Sequence, residues 1–319
     1  MASGKDIRRR IKSINNTKKI TRAMEMVSAS KMRKSVSSVL RVRDYAKSAW
    51  SVLANLARAF EKYEYGLLAR REVRNILMIV VASNRGLCGS FNSQIARKVK
   101  EELDNPQKLK INRIGSKRFE SCVSNSELKI DFITIGRKAD NIVRKLGKNI
   151  IATFPDLTQA PTNEDVRPLS KIVIQEYLNE KYDKVVIVYT DYISTLIQKT
   201  KIRQILPVSK TDLEKQIAEM SLHAKGEDIS ILAVEYKVEP SPKEVLENVF
   251  PRLIEMQIFH AILESNASKE SARMMAMRNA TEAADEMAES FTLAYNQLRQ
   301  MKITQEIAEI SAGRAALEN

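Results

Sequence analysis

The ends of this chain lack the residues that stop helices. Of its 9 glycines and 8 prolines, only Gly4 and Gly313 lie outside residues 66–251, and residues 5–65 and 252–312 contain neither type. Cysteine is scarce: Cys88 and Cys122 stand far apart with no histidine set beside them, which excludes a disulfide scaffold and a zinc centre. Histidine is limited to His223 and His260, and aromatics to 6 % of residues, so imidazole chemistry and base-stacking platforms have little to work with. No apolar run reaches the ~18 residues that span a bilayer. The N-terminus is too charged for a secretory signal and too regular in its downstream register for a mitochondrial presequence, which points to a soluble bacterial protein of a reducing compartment.

What is present follows from those absences. A helix over either breaker-free stretch would be roughly 90 Å long at about 1.5 Å per residue, deeper than an ordinary globular core, so two of them predict a rod carried by a compact domain. The net charge of +14 sits unevenly. Residues 1–60 hold 15 Lys or Arg against Asp6, Glu25 and Asp44, whereas residues 252–312 hold six basic and nine acidic side chains. Opposite sign at opposite ends favours an antiparallel coiled coil.

The apolar spacing agrees. In the C-terminal stretch Leu246, Val249, Leu253, Met256, His260, Leu263 and Ala267 make one seam, resumed by Met274, Met277, Thr281, Ala284, Ala288, Phe291, Tyr295 and Leu298. In the N-terminal stretch Val36, Val39, Arg43, Ala46, Trp50, Leu53, Ala57 and Phe60 follow the same rule. Ile7, Ile11 and Ile14 begin a further stripe whose phase is expected to shift around Ile20 to Val27. The plainer alternative is a pair of core helices in an α-helical bundle. Residues 18–34 set Lys18, Lys19, Arg22, Lys31, Arg33 and Lys34 among Met24, Met26 and Met32. Without interleaved aromatics, this basic face fits an acidic protein surface better than nucleic acid, with a merely solvated face as the plain reading.

The middle reads as α/β. Residues 75–82 and 184–191 are apolar runs suited to strands buried on both faces, and helices are expected at about 91–104 and 164–179. Shorter strands near 111–115 and 130–136, each followed by a helical run, predict a largely parallel sheet. The loop Gly86-x-x-Gly89 lacks both a dinucleotide fingerprint and a phosphate-loop Gly-Lys-Ser, and serves as a tight strand-to-helix turn. Cys88 has no evident base, and His260 lies on the apolar seam. No catalytic residue, cofactor or metal site is expected.

Three blocks carry a resemblance to a known family. Residues 7–34 read Ile-Arg-Arg-Arg-Ile-Lys-Ser-Ile-Asn-Asn-Thr-Lys-Lys-Ile-Thr-Arg-Ala-Met-Glu-Met-Val-Ser-Ala-Ser-Lys-Met-Arg-Lys, and residues 83–92 read Ser-Asn-Arg-Gly-Leu-Cys-Gly-Ser-Phe-Asn. The third block runs from Ala272 through Arg-Met-Met-Ala-Met-Arg-Asn-Ala-Thr to Leu293-Ala-Tyr-Asn and Ile303-Thr-Gln-Glu-Ile-Ala-Glu-Ile. Together they resemble the gamma subunit of the F-type ATP synthase, of bacterial type, over nearly the whole chain.

The resemblance implies a central-stalk rotor without catalytic residues of its own. Residues 1–65 and 243–319 would form the coiled coil inside a ring of α and β subunits, one copy per ring. Residues 66–242 would form a Rossmann-like domain against the epsilon subunit and the membrane c ring, which moves protons or sodium ions. The complex would stand at the cytoplasmic face of the bacterial inner membrane. By the same resemblance Lys18, Arg22 and Met24, with Arg299, Gln300, Thr304 and Gln305, would meet β subunits, and Tyr236 and Glu239 the c ring. Ile303, Ile307 and Ile310 would make a bearing at the shaft tip. Residues 105–128 and 209–230 look longer than the usual bacterial pattern, and Arg113-Ile-Gly-Ser-Lys echoes Thr134-Ile-Gly-Arg-Lys. Rival readings are a basic coiled-coil protein on nucleic acid and a nucleotide-dependent enzyme acting near Gly86.

Overall fold

The computed structural model describes residues 4–59, 66–68, 71–114, 117–120, 128–158, 161–208 and 242–317. Its contacts separate two units, residues 1–29 with 273–319 and residues 30–272. Two helices take part in both: α1, Gly4–Ala59, of 56 residues, and α6, Pro242–Leu317, of 76. The breaker-free stretch begins at Arg252 and the C-terminal helix was expected from residue 243; α6 starts at Pro242. Pro242 opens it, where a proline lacks nothing the helix needs, and Pro251 is accommodated within it.

The larger unit holds a five-stranded sheet in the order β5-β4-β1-β6-β7. Its strands are β1 (Asn75–Val81), β4 (Lys129–Ile135), β5 (Ile150–Phe154), β6 (Lys184–Tyr192) and β7 (Gln198–Leu206). The first four run parallel, and β7 returns antiparallel to β6. Among the described residues four shorter helices accompany them: α2 (Phe91–Asp104), α3 (Gln107–Lys110), α4 (Arg137–Lys145) and α5 (Asn163–Leu178).

Alternation along β1 explains the layering. Leu77, Ile79 and Val81 point to one face, packed with Val166, Leu169, Val173 and Tyr177 of α5 and with Leu253, Ile254, Ile258 and Ile262 of α6. Ile76, Met78 and Val80 point to the other, against Phe91, Ile95 and Val99 of α2 and Ala139 and Val143 of α4. Both faces are covered, as the unbroken apolar run required. Polar anchors set the strand starts. Asp183 Oδ2 accepts from the backbone N–H groups of Arg74 (2.9 Å) and Asn75 (2.8 Å). The buried Lys184 ammonium donates to the carbonyls of Leu109 (2.9 Å) and Ile111 (2.6 Å) at the end of α3.

The expected strand at 111–115 is a strand in a different place. β2 (Ile111–Ile114) pairs antiparallel with β3 (Lys117–Glu120) as a separate two-stranded sheet, so the next described element after it is a strand. Its polar Asn112 and Arg113 do not supply the double apolar face a central parallel strand needs. The echo between residues 113–117 and 134–138 therefore has no structural counterpart, since the first leads into β3 and the second into α4. Sequence reading also passed over β5 and β7, whose mixed residues carry no continuous apolar signal.

Ile79 lies fully buried at the centre of the sheet. Ile79→Ala should lower stability by about 2–5 kcal/mol in denaturant unfolding followed by circular dichroism. A loss below about 1 kcal/mol would show that the sheet closes around the cavity.

Candidate interaction surfaces of the helical coil

In the smaller unit α1 and α6 run antiparallel. Thr21 Oγ1 lies 2.7 Å from Thr281 Oγ1, Lys18 pairs with Asp285, and the Arg10 guanidinium lies 5.9 Å from the Phe291 ring centroid. A Cβ added to Gly4 would come within 3.9 Å of Tyr295. As the residue number rises along one helix it falls along the other. The threonine pair is satisfied within the coil: Thr21 Oγ1 also reaches the Lys18 carbonyl (3.0 Å) and Thr281 Oγ1 that of Met277 (2.8 Å).

Burial corrects the expected phase shift. The covered positions of α1 in this unit include Ile7, Ile11, Ile14, Lys18, Thr21, Glu25 and Ser28, which continue at alternating spacings of four and three with no break. Ile20, Met26 and Val27, whose hydrophobicity suggested the shift, are 60 %, 62 % and 55 % exposed. The seam passes through hydroxyl side chains instead, Thr21 and Ser28. On α6 the expected positions Met277, Ala284 and Ala288 are buried, with Thr281, Phe291, Tyr295 and Leu298 half-buried. In the larger unit the α1 seam is met at Val39, buried with Leu263 and Ala267. Side chains beyond Arg41 of α1 lie outside the described residues, and so do the seam positions expected from Arg43 to Phe60.

The expected partner residues fall into distinct settings. Arg22 is exposed, Met24 is half-buried, and Lys18 is engaged by Asp285 within the coil. Lys19, Lys31, Arg33 and Lys34 are exposed. On α6 every residue from Arg299 to Arg314 is exposed. Ile303, Ile307 and Ile310, 43 %, 59 % and 73 % exposed, share one helical face with Arg299. Gln300, Thr304 and Gln305 line a shallow groove on another face with Gln297, Met301 and Ala308, and Gln305 Nε2 donates to Glu309 Oε1 at 2.8 Å. The expected set is thus divided between two faces. Tyr236 and Glu239, like His223 and Cys122, lie outside the described residues. The outward Ile20, Met26 and Val27 were missed as surface residues. The unbroken spacing from Ile7 to Ser28 was the signal that places them outside.

The glycine loop after β1 is closed by its own side chains. Ser83 Oγ lies 2.7 Å from the Arg85 carbonyl and 2.9 Å from Asn92 Oδ1, and Asn92 Nδ2 donates to the buried Cys88 Sγ at 3.1 Å. Asn84 donates to the Pro155 carbonyl (2.6 Å) and accepts from the Arg137 N–H (2.9 Å). Gly89 takes a positive φ of 55° in this turn, which favours glycine. The block of residues 83–92 thus ties β1 to α2 and to the loops beside it through Ser83, Asn84 and Asn92.

The coil, the sheet and this turn coincide with a known family. The family model described as ATP synthase matches residues 3–317. The ATP synthase gamma chain of Legionella pneumophila is 37 % identical over 317 residues, covering 99 % of this chain and 100 % of that one. This chain belongs to the ATP synthase gamma-chain family. The gamma chain of Chloroflexus aurantiacus is 38 % identical over 320 residues, with 99 % of each chain covered. Among solved structures, a chain in the Euglena gracilis mitochondrial ATP synthase rotor, rotational state 1, matches with a TM-score of 0.59 at 20 % identity, over 94 % of this chain and 98 % of that one. A chain in the F1/c-ring assembly of the same enzyme in rotational state 3 gives 0.62 at 19 % identity, over 98 % and 94 %. At these identities the structures establish a shared fold.

The seam's phase can be tested on adjacent residues. Ser28→Leu, overfilling a position 2 % exposed, should cost about 1–3 kcal/mol in thermal or denaturant unfolding of the helices. Val27→Ser, one residue away on the outside, should change stability by no more than about 0.5 kcal/mol. The reverse order would restore the phase shift.

Proposed function

We propose that this chain is the central-stalk rotor of an ATP synthase, coupling rotation of a membrane c ring to the catalytic sites of surrounding β subunits. The observation that carries the reading is the helical coil with an exposed apolar tip, in a chain matched over its full length by gamma chains. Catalysis belongs to partner subunits. The chain acts by contact: an asymmetric shaft meets each β subunit differently, so each orientation stabilises a different open or closed state and rotation shifts nucleotide affinity site by site.

Residues 1–65 and 243–319 serve as the shaft in this reading, and residues 66–242 as the base that meets epsilon and the c ring. The exposed cations Arg22, Lys31, Arg33 and Lys34 face acidic β loops, and Gln300, Thr304 and Gln305 with Arg299 engage one β subunit at a time. Lys18 and Met24 contribute from their half-buried places, and Tyr236 and Glu239 are assigned to the c ring. Ile303, Ile307 and Ile310 form the bearing, because apolar contact is non-directional and opposes turning weakly. Among the described residues no helix is long and apolar enough to cross a membrane, so the chain reaches the membrane through its complex. Its bacterial relatives favour the cytoplasmic face of an inner membrane.

Mixing this chain with matching α and β subunits should give a complex with one copy per ring and altered ATP turnover, while the chain alone hydrolyses nothing. Failure to join a ring that otherwise assembles would end the reading. Replacing Ile303, Ile307 and Ile310 together with Gln should weaken retention in the ring by roughly tenfold or more, since partial burial of three isoleucines exceeds about 1.4 kcal/mol. Unchanged assembly and rotation would remove the bearing role.

A further inference from the structure

Loop tips are usually polar, but the hairpin joining β6 to β7 is not. Residues 193–197 read Ile-Ser-Thr-Leu-Ile, and Leu196 and Ile197 are 74 % and 58 % exposed, with Ile193 exposed beside them. The backbone holds them there. The N–H groups of Ile193 (3.3 Å) and Ser194 (3.0 Å) donate to the Ile197 carbonyl, and the Ile197 N–H donates to Ser194 Oγ at 3.1 Å. Ser271 Oγ of α6 (2.7 Å) and Gln198 Nε2 of β7 (2.8 Å) both donate to the Thr195 carbonyl and fasten the turn. A fixed turn that holds three large apolar side chains together in water has the character of a contact surface.

A groove continues this surface toward α1. It holds about 400 Å³ and is walled by Met32, Val36 and Leu40, which follow one another by four along α1, and by Tyr192 at the end of β6. Leu40 itself is 49 % exposed. Cations stand on both sides of the tip. Arg33 and Arg41 line the groove before it, and Arg97 and Lys199 share a second depression after it. Glu101, the carboxylate in that depression, is taken up by Lys98 at 3.3 Å. Among the described residues no carboxylate pairs with Arg33, Arg41, Arg97 or Lys199.

We propose that the tip and groove together dock an acidic amphipathic helix of the surrounding ring. One of its large apolar side chains sits between α1 and Tyr192, and its carboxylates lie beside the four cations. The proposal rests on the rotor reading and extends the contact given to Arg33 onto the β6–β7 hairpin. Shape and charge select this occupant. A second copy of the chain would set like charges against each other. A lipid surface would accept the tip, but it offers no side chain to fill a groove between a helix and a strand. An amphipathic helix has apolar groups at every third or fourth position and carboxylates alongside, which suits both the groove and its rim.

Leu196→Cys places a thiol on the tip, where so exposed a substitution leaves the fold intact. Labelling by a maleimide is counted above that of the unsubstituted chain, which holds Cys88 and Cys122. The new thiol should react readily in the chain alone and lose its labelling in the isolated complex with matching α and β subunits. Leu178→Cys, exposed at the end of α5, should stay reactive in both. Leu196→Glu should weaken retention in the ring more than Leu196→Lys, because both remove the apolar contact and only the first repels carboxylates. A complex that forms with the tip thiol still reactive overturns the proposal and leaves the rotor reading standing. No complex at all removes that reading, and the proposal with it. Labelling lost without the ring, on concentrating the chain or on adding vesicles of anionic phospholipid, assigns the surface to a second copy or a membrane and overturns it too. Equal retention of the Glu and Lys variants rules out the acidic partner.

Discussion

The close approach of α1 and α6 at a narrow seam is the constraint on which the coil depends. Thr21 and Thr281 touch through their hydroxyls at 2.7 Å, and Ser28, Ala284 and Ala288 occupy other buried positions. Side chains this small let the two backbones come near at these positions. Ile20, Met26 and Val27 fall off the four-three register of the seam and stand exposed. One register sets both the interior of the coil and the apolar character of its surface.

The same helix meets a different condition in the larger unit. Around Leu253, Ile254, Ile258 and Ile262, α6 behaves as an ordinary core helix against the sheet. From His260 onward it is enclosed on all sides, and its polar side chains must find partners there or carry a large desolvation cost. Ser268 and Ser271 find them on backbone carbonyls, and Lys269 donates to Asn266 Oδ1 at 2.8 Å. Directional bonds of this kind fix the helix against sliding and turning in a way that apolar contact alone does not.

Much of this was legible in the residues, and the misses have physical causes. The lack of glycine and proline marked both helices, and the three-four spacing from Met277 to Leu298 located one side of the seam. Double-faced apolar runs marked β1 and β6. Edge strands were not legible, because β5 and β7 have only one strand beside them and need no continuous apolar pattern. The α1 seam was misread because hydrophobicity was followed instead of spacing. Where two helices nearly touch, the informative residue is small, and the bulky neighbour is the one left outside.

A rotor needs two kinds of contact that are opposed in character, and this chain separates them. Surfaces that must slide past a partner do so with least resistance when no single orientation is favoured, the property on which the proposed bearing of Ile303, Ile307 and Ile310 rests. A joint that must transmit force needs the reverse: bonds whose energy falls steeply with displacement, shielded from water so that solvent does not replace them. The buried polar stretch of α6 meets that need.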